Sequence, residues 1–168
     1  MKTLGKSVAG VLESITTVGA MTGAAMICLV SIIVVYEVVV RAMGEPTIWV
    51  NEVSVYLFLW SAFLGLALTQ RRGEHFRVTI LTDHFSQKTQ DILQLASTVI
   101  GAAFCAIMLW KGLEMTLGDY AMGRLSPTLL HFPIFLLRLA IPLGSSILLA
   151  ELLRYILELS ARIRSGAN

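Results

Sequence analysis

The stretch TIWVNEVSVYLFLWSAFLGLALTQRRGEH, residues 47–75, sets an acid at the head of an apolar run and tryptophans at Trp49 and Trp60. Gly65 lies inside the run, which closes on a basic cluster at Arg71 and Arg72. No residue between Glu52 and Arg71 is charged. At about 1.5 Å of rise per residue, roughly 20 apolar residues in a helix cross the hydrocarbon core of a bilayer. The run therefore reads as a membrane helix with its charges at the two interfaces. The same signature recurs on both sides of it. Residues 14–36 and 92–110 carry no charge, and residues 125–150 are interrupted only by His131 and Arg138.

Charged residues make up 14% of the 168-residue chain and hydrophobic residues 56%. A soluble domain places charge on about a quarter of its residues to cover its surface. The expected fold is all-α and polytopic, with four transmembrane helices in one membrane domain, 1–168. The spans fall near 16–37, 52–70, 92–110 and 128–150. The first run is followed by YEVVVRAMGE without a small-residue cleavage pattern, so it reads as a span and not as a signal peptide.

Loop charge sets the orientation. Lys2, Lys6, Arg71, Arg72, Arg77, Lys88, Arg154, Arg162 and Arg164 fall on the side of the termini; Arg41, Lys111 and Arg124 fall opposite. The excess of Lys and Arg marks the cytoplasmic side, so both termini are expected to be cytoplasmic. Trp49 and Trp110 sit where aromatic interfacial anchors are expected, with Arg71, Arg72 and His75 anchoring the other side. Phe76, Ile80 and Phe85 recur among polar residues in the link 73–90, which suits either an amphipathic interfacial helix or a loop. The tail 151–164 continues the fourth helix, with Leu152, Ile156, Leu159 and Ile163 in one stripe and Arg154, Glu158 and Arg162 in another. The apolar stripe meets lipid headgroups or a partner.

Helix association in lipid favours small residues that let backbones approach. Gly19 and Gly23 form such a step in the first helix, and Ser61 and Gly65 in the second. Glu52, Tyr56, Trp60, Phe63, Ala67 and Arg71 share the other side of the second helix, spaced by threes and fours, and would suit a broad contact with another protein or with lipid. Pro142 is expected to bend the fourth helix or mark close packing. Arg138 lies within that span, where a lone arginine costs at least about 2.5 kcal/mol unless it snorkels or finds a partner. Outward snorkelling toward His131 accounts for it most simply. The sharper alternative is an anionic substrate or an acid of another subunit.

The chemistry of a site is harder to find. His75, His84 and His131 are scattered and form no haem or metal constellation, and Cys28 and Cys105 lie inside apolar runs as small buried hydrophobes. No serine, cysteine or carboxylate pair carries the base and orienting group of nucleophilic catalysis. No basic patch with interleaved aromatics suggests nucleic acid. Glu37 and Glu52 stand at helix ends, so the mid-membrane acid of a proton-coupled exchanger is missing. The sequence therefore reads as a non-enzyme without cofactor or metal: part of a transporter, and poorly equipped to be a whole one. Two alternatives stay open, another four-helix scaffold subunit and a self-sufficient multidrug-type transporter.

The segments WVNEVS (49–54), YLFLWSAFLG (56–65) and RRGEHFRV (71–78) together resemble the small membrane subunit of TRAP transporters, the tripartite ATP-independent periplasmic uptake systems of bacteria and archaea. Trp49, Glu52, Trp60, Gly65, Gly73 and His75 match that pattern in order and spacing, and PLG at 142–144 fits its last helix. The resemblance implies a small non-catalytic subunit in the inner membrane that packs against the scaffold of a large permease. It further implies a periplasmic substrate-binding protein, surrounding lipid, and sodium-coupled import of an organic acid.

Overall fold

The computed structural model describes residues 2–71, 87–128 and 130–165. Five helical elements follow one another: α1 Lys2–Ala42, α2 Trp49–Arg71, α3 Gln87–Ala121, α4 Ile134–Arg138 and α5 Ala140–Ser165. Among the described residues, α1, α2, α3 and the α4–α5 unit are long and apolar enough to cross a membrane, giving four spans. The fold is all-α and polytopic, as the charge-free runs predict.

The helices outrun the expected spans: α1 extends well beyond 16–37 and α3 beyond 92–110. The physical reason is simple. Loss of charge marks hydrocarbon depth, whereas a helix continues into the polar interface until its backbone is turned. Glycine makes that turn at the C-terminal ends of α1 and α3. Gly44 (φ +93°) follows α1, with Glu45 N–H donating to Val40 O and Gly44 N–H to Arg41 O. Gly123 (φ +60°) follows α3 with the same pair of bonds, Arg124 N–H to Asp119 O and Gly123 N–H to Tyr120 O. Both are Schellman caps, whose left-handed residue suits glycine because it lacks a Cβ.

The fourth span begins later than expected. Residues 124–133 form an irregular loop, in which Leu125 and Pro133 pair as an isolated bridge and His131 takes a positive φ of 50°. His131 is thus in a loop and not within the fourth span. The helix then breaks between α4 and α5. Pro142 explains the break: it lacks the N–H that Arg138 O would accept, and its ring crowds that carbonyl four residues back. The expected link helix falls mostly outside the described residues, as do Arg72 and His75.

The helices form a row, α1–α2–α5–α3, in which α2 and α5 are central and α1 and α3 stand at the ends without packing extensively on each other. Glycines set the spacing. Gly23 lies against the Ser61 backbone, Gly112 against Ile141 and Pro142, and Gly144 against Phe63. Ala102, Cys105, Leu148 and Leu152 form the buried apolar cluster between α3 and α5. Cys28, by contrast, is exposed on α1, which corrects the expectation that both cysteines are buried. The tail stripe is corrected likewise: Leu152 and Leu159 are buried within this chain.

Candidate interaction site: the inward face of α2 and its ionic ends

The aromatic face of α2 points at the chain's own last third. At one end Glu52 is buried and its Oε2 accepts from the Thr128 hydroxyl. One turn on, the Tyr56 ring meets Phe132 edge-on at 5.6 Å. Trp60 Nε1–H donates to Leu136 O at 3.1 Å. That carbonyl lies in the last turn of α4, where the helix's own donors run out. Phe63 packs on Gly144, Ala67 is fully buried, and Arg71 closes the face against Glu151. The residues spaced by threes and fours share one face, and within this chain that face meets the 124–133 loop and α4–α5.

Gly19 and Gly23 also pack inside the chain, against Leu64 and Ser61 of α2. Gly65 does not belong to a close contact, since nothing lies within 4 Å of where its Cβ would stand. Pro142 is buried, with its ring against Gly112. Trp49 is partly exposed and tilts against Tyr36 at a centroid distance of 6.3 Å. Trp110 is exposed beside the Lys111–Glu114 ion pair.

Two buried acids that sequence reasoning passed over organise the rest. Glu151 is completely buried, and Oε1 accepts from the Thr16 hydroxyl at 3.0 Å and lies 3.4 Å from Arg71 Nη1. Its Oε2 accepts from Arg154 Nε at 2.8 Å. Arg71 also pairs with Glu13, and Arg154 with Glu158, so the cluster ties α1, α2 and α5 together. Asp119, 2% exposed, pairs through Oδ2 with Arg138 Nη1 at 2.8 Å and more loosely through Oδ1 with Arg124. Arg138 thus has an acid partner within its own chain, in place of outward snorkelling alone. The register of α3 was the available signal, because Gly112, Thr116 and Asp119 fall on one face once the helix is continued past Trp110.

A third group sits at the α1–α2 corner. Glu37 Oε1 accepts from Arg41 Nε and Nη2, at 3.1 and 2.8 Å, and Oε2 accepts from the Thr47 backbone N–H and hydroxyl. The Glu37 and Asp119 groups lie toward helix ends, where partial hydration lowers the cost of charge, whereas Glu151 lies midway along α5 and meets Arg71 from the end of α2. Among the described residues, no three His, Cys, Asp or Glu side chains gather as a metal site. The geometry can hold helices in place.

Comparison with known proteins places this arrangement. The family model described as "Tripartite ATP-independent periplasmic transporters, DctQ component" matches residues 30–164. The chain is 31% identical over 105 residues to the C4-dicarboxylate TRAP transporter small permease protein DctQ of Rhodobacter capsulatus, a match covering 62% of this chain and 46% of that protein. It is 26% identical over 103 residues to the ectoine TRAP transporter small permease protein TeaB of Halomonas elongata, covering 61% and 53%. With the isethionate TRAP transporter permease protein DctMQ of Oleidesulfovibrio alaskensis it shares 21% identity over 139 residues, 79% of this chain but 21% of that protein. The matched stretch thus spans about half the length of the first two relatives.

Proposed function

We infer the role of this chain from one premise: it belongs to the DctQ family, the small permease component of TRAP transporters. Our reading is that it is a non-catalytic scaffold subunit, seated in the inner membrane beside a large permease that carries the substrate. The observation that carries this reading is where the charge goes. Glu151, Asp119 and Glu37, the strongest candidates for a carrier group, are each paired with arginines of the same chain. Meanwhile the outer faces of α1 and α3 carry large exposed hydrophobics such as Met21, Ile32, Ile100 and Ile107. Such faces need lipid or a partner helix to cover them.

The relative named DctMQ supports a membrane partner, since this chain matches only a fifth of it and the remainder is available for a large permease part. In our reading both termini face the cytoplasm, uptake is secondary and sodium-coupled, and a periplasmic binding protein delivers the cargo. Two of the relatives are named for C4-dicarboxylate and isethionate, which supports a small organic acid as the cargo. The choice among such acids belongs to other subunits.

Purification in mild detergent from the native membrane tests the assignment. A large polytopic permease should copurify in equal amount, and uptake should require both chains. Transport by this chain alone in sealed vesicles would refute the scaffold reading and revive a self-sufficient carrier.

A further inference from the structure

A groove of about 490 Å³ runs between the end of α1 and the start of α2, bounded by the 43–48 corner. Its lining is mostly apolar: Val34, Val38 and Ala42 of α1 and Val50 of α2 make the wall, with Glu37, Arg41 and Thr47 toward the corner and Asn51 and Ser54 along α2. The neighbouring Tyr36–Trp49 pair places the corner at the membrane interface, where amphipathic aromatic rings concentrate. Arg41 is held ready. Glu37 fixes its Nε and Nη2, which leaves Nη1 unengaged on a side chain that is 67% exposed.

We propose that this groove is a binding site for a membrane phospholipid, with the phosphate on Arg41 and an acyl chain along Val34 and Val38. A guanidinium immobilised through one edge and open at the other is a preorganised phosphate donor, because its orientation is set before the ligand arrives. Glu37 cancels the charge of Arg41, so the site favours a zwitterionic headgroup over a strongly anionic one. The exposed Asn51 side chain lines the same groove, where an ester carbonyl of the lipid would accept its amide N–H. A phospholipid brings in one molecule a phosphate for Arg41, ester oxygens that can accept from the Asn51 amide and the Ser54 hydroxyl, and an acyl chain for the valine wall. The proposal stands on the groove alone and does not depend on the transporter assignment.

The test uses the full-length chain in phosphatidylcholine vesicles doped with phosphatidylethanolamine that carries a photoreactive acyl chain. Adducts are mapped by mass spectrometry. Wild type should label at Val34 and Val38 well above Ile107, which faces outward on α3. Arg41→Gln should lower groove labelling about ten-fold, the loss of one charge-assisted hydrogen bond, with Ile107 unchanged. Val38→Trp, which fills the groove and leaves the ion pair intact, should lower it comparably, and circular dichroism checks that both variants keep their helices. Equal labelling at Val38 and Ile107, or labelling indifferent to both variants, would overturn the site. So would crosslinking of Val34 and Val38 to a protein in native membranes without any lipid adduct.

Discussion

The packing of α2 on α5 can be tested by adding one methyl group at two places. A Cβ on Gly144 would lie 2.5 Å from Phe63 Cβ, 2.9 Å from Phe63 Cδ1 and 3.0 Å from Phe63 O. Two of those atoms belong to the rigid base of Phe63, so α2 and α5 must part by about 1 Å to restore ordinary carbon contact near 3.5 Å. At Gly65, in the same pair of helices, nothing lies within 4 Å. Glycine to alanine gains up to about 1 kcal/mol of helix propensity at either position. Overpacking costs about 1–3 kcal/mol. Gly65→Ala should therefore be neutral or stabilising, and Gly144→Ala destabilising by about 1–2 kcal/mol net. Reversible unfolding in mixed micelles measures both. Parting the helices should also stretch the Trp60–Leu136 hydrogen bond and expose the indole, read by fluorescence quenching. Equal stability of the two variants would refute the close α2–α5 approach.

Three further outcomes follow from the clusters. Arg154→Gln should destabilise more than Arg71→Gln, because Glu151 loses its 2.8 Å partner in the first case and its 3.4 Å partner in the second; unfolding curves in mixed micelles rank them. Arg138→Gln should cost about 3 kcal/mol and Asp119→Asn less, because the first strands a carboxylate that is 2% exposed and the second an arginine that is 36% exposed; the double variant should cost less than their sum. A double-mutant cycle checks this, and additivity would dissolve the pair. Trp60→Phe should cost about 1 kcal/mol through the orphaned Leu136 carbonyl, and uptake by the assembled transporter should fall only as far as folded protein does.

The architecture was legible because membrane helices announce themselves by what they exclude. Three intervals without charge and a fourth broken only by His131 and Arg138, flanked by Trp49, Trp110 and arginines, mark the spans without any knowledge of their neighbours. The candidate site was legible by face but not by partner. Glu52, Tyr56, Trp60, Phe63, Ala67 and Arg71 share a side on any helical wheel, yet periodicity is silent on whether that side meets α5 or another chain. The two buried acids were hidden for a different reason. Asp119 follows a charged turn at Lys111 and Glu114, and Glu151 opens a charged tail, so both resemble loop or interface residues until the lengths of α3 and α5 are known. Gly144 was visible only as part of a motif, because its close contact with Phe63 depends on a distance between helices.

An open row of four helices has a particular difficulty, since its end members are each held along one side. Apolar attraction contributes little in lipid, where the tails are as apolar as the side chains. Directional groups must then fix the angles. The Glu151 cluster joins α1, α2 and α5 at one membrane face, while Asp119 with Arg138 ties α3 to α4 at the other. Between them the glycine contacts set the distances. A helix row braced at both ends and close-packed in the middle presents its outer surface already ordered, so a partner that docks on it meets little of the conformational cost that flexible helices impose. If the scaffold role proposed above holds, that order is what a static support beside a moving domain needs: the buried acids Glu151 and Asp119 are matched inside the chain while the outer faces of α1 and α3 are left apolar.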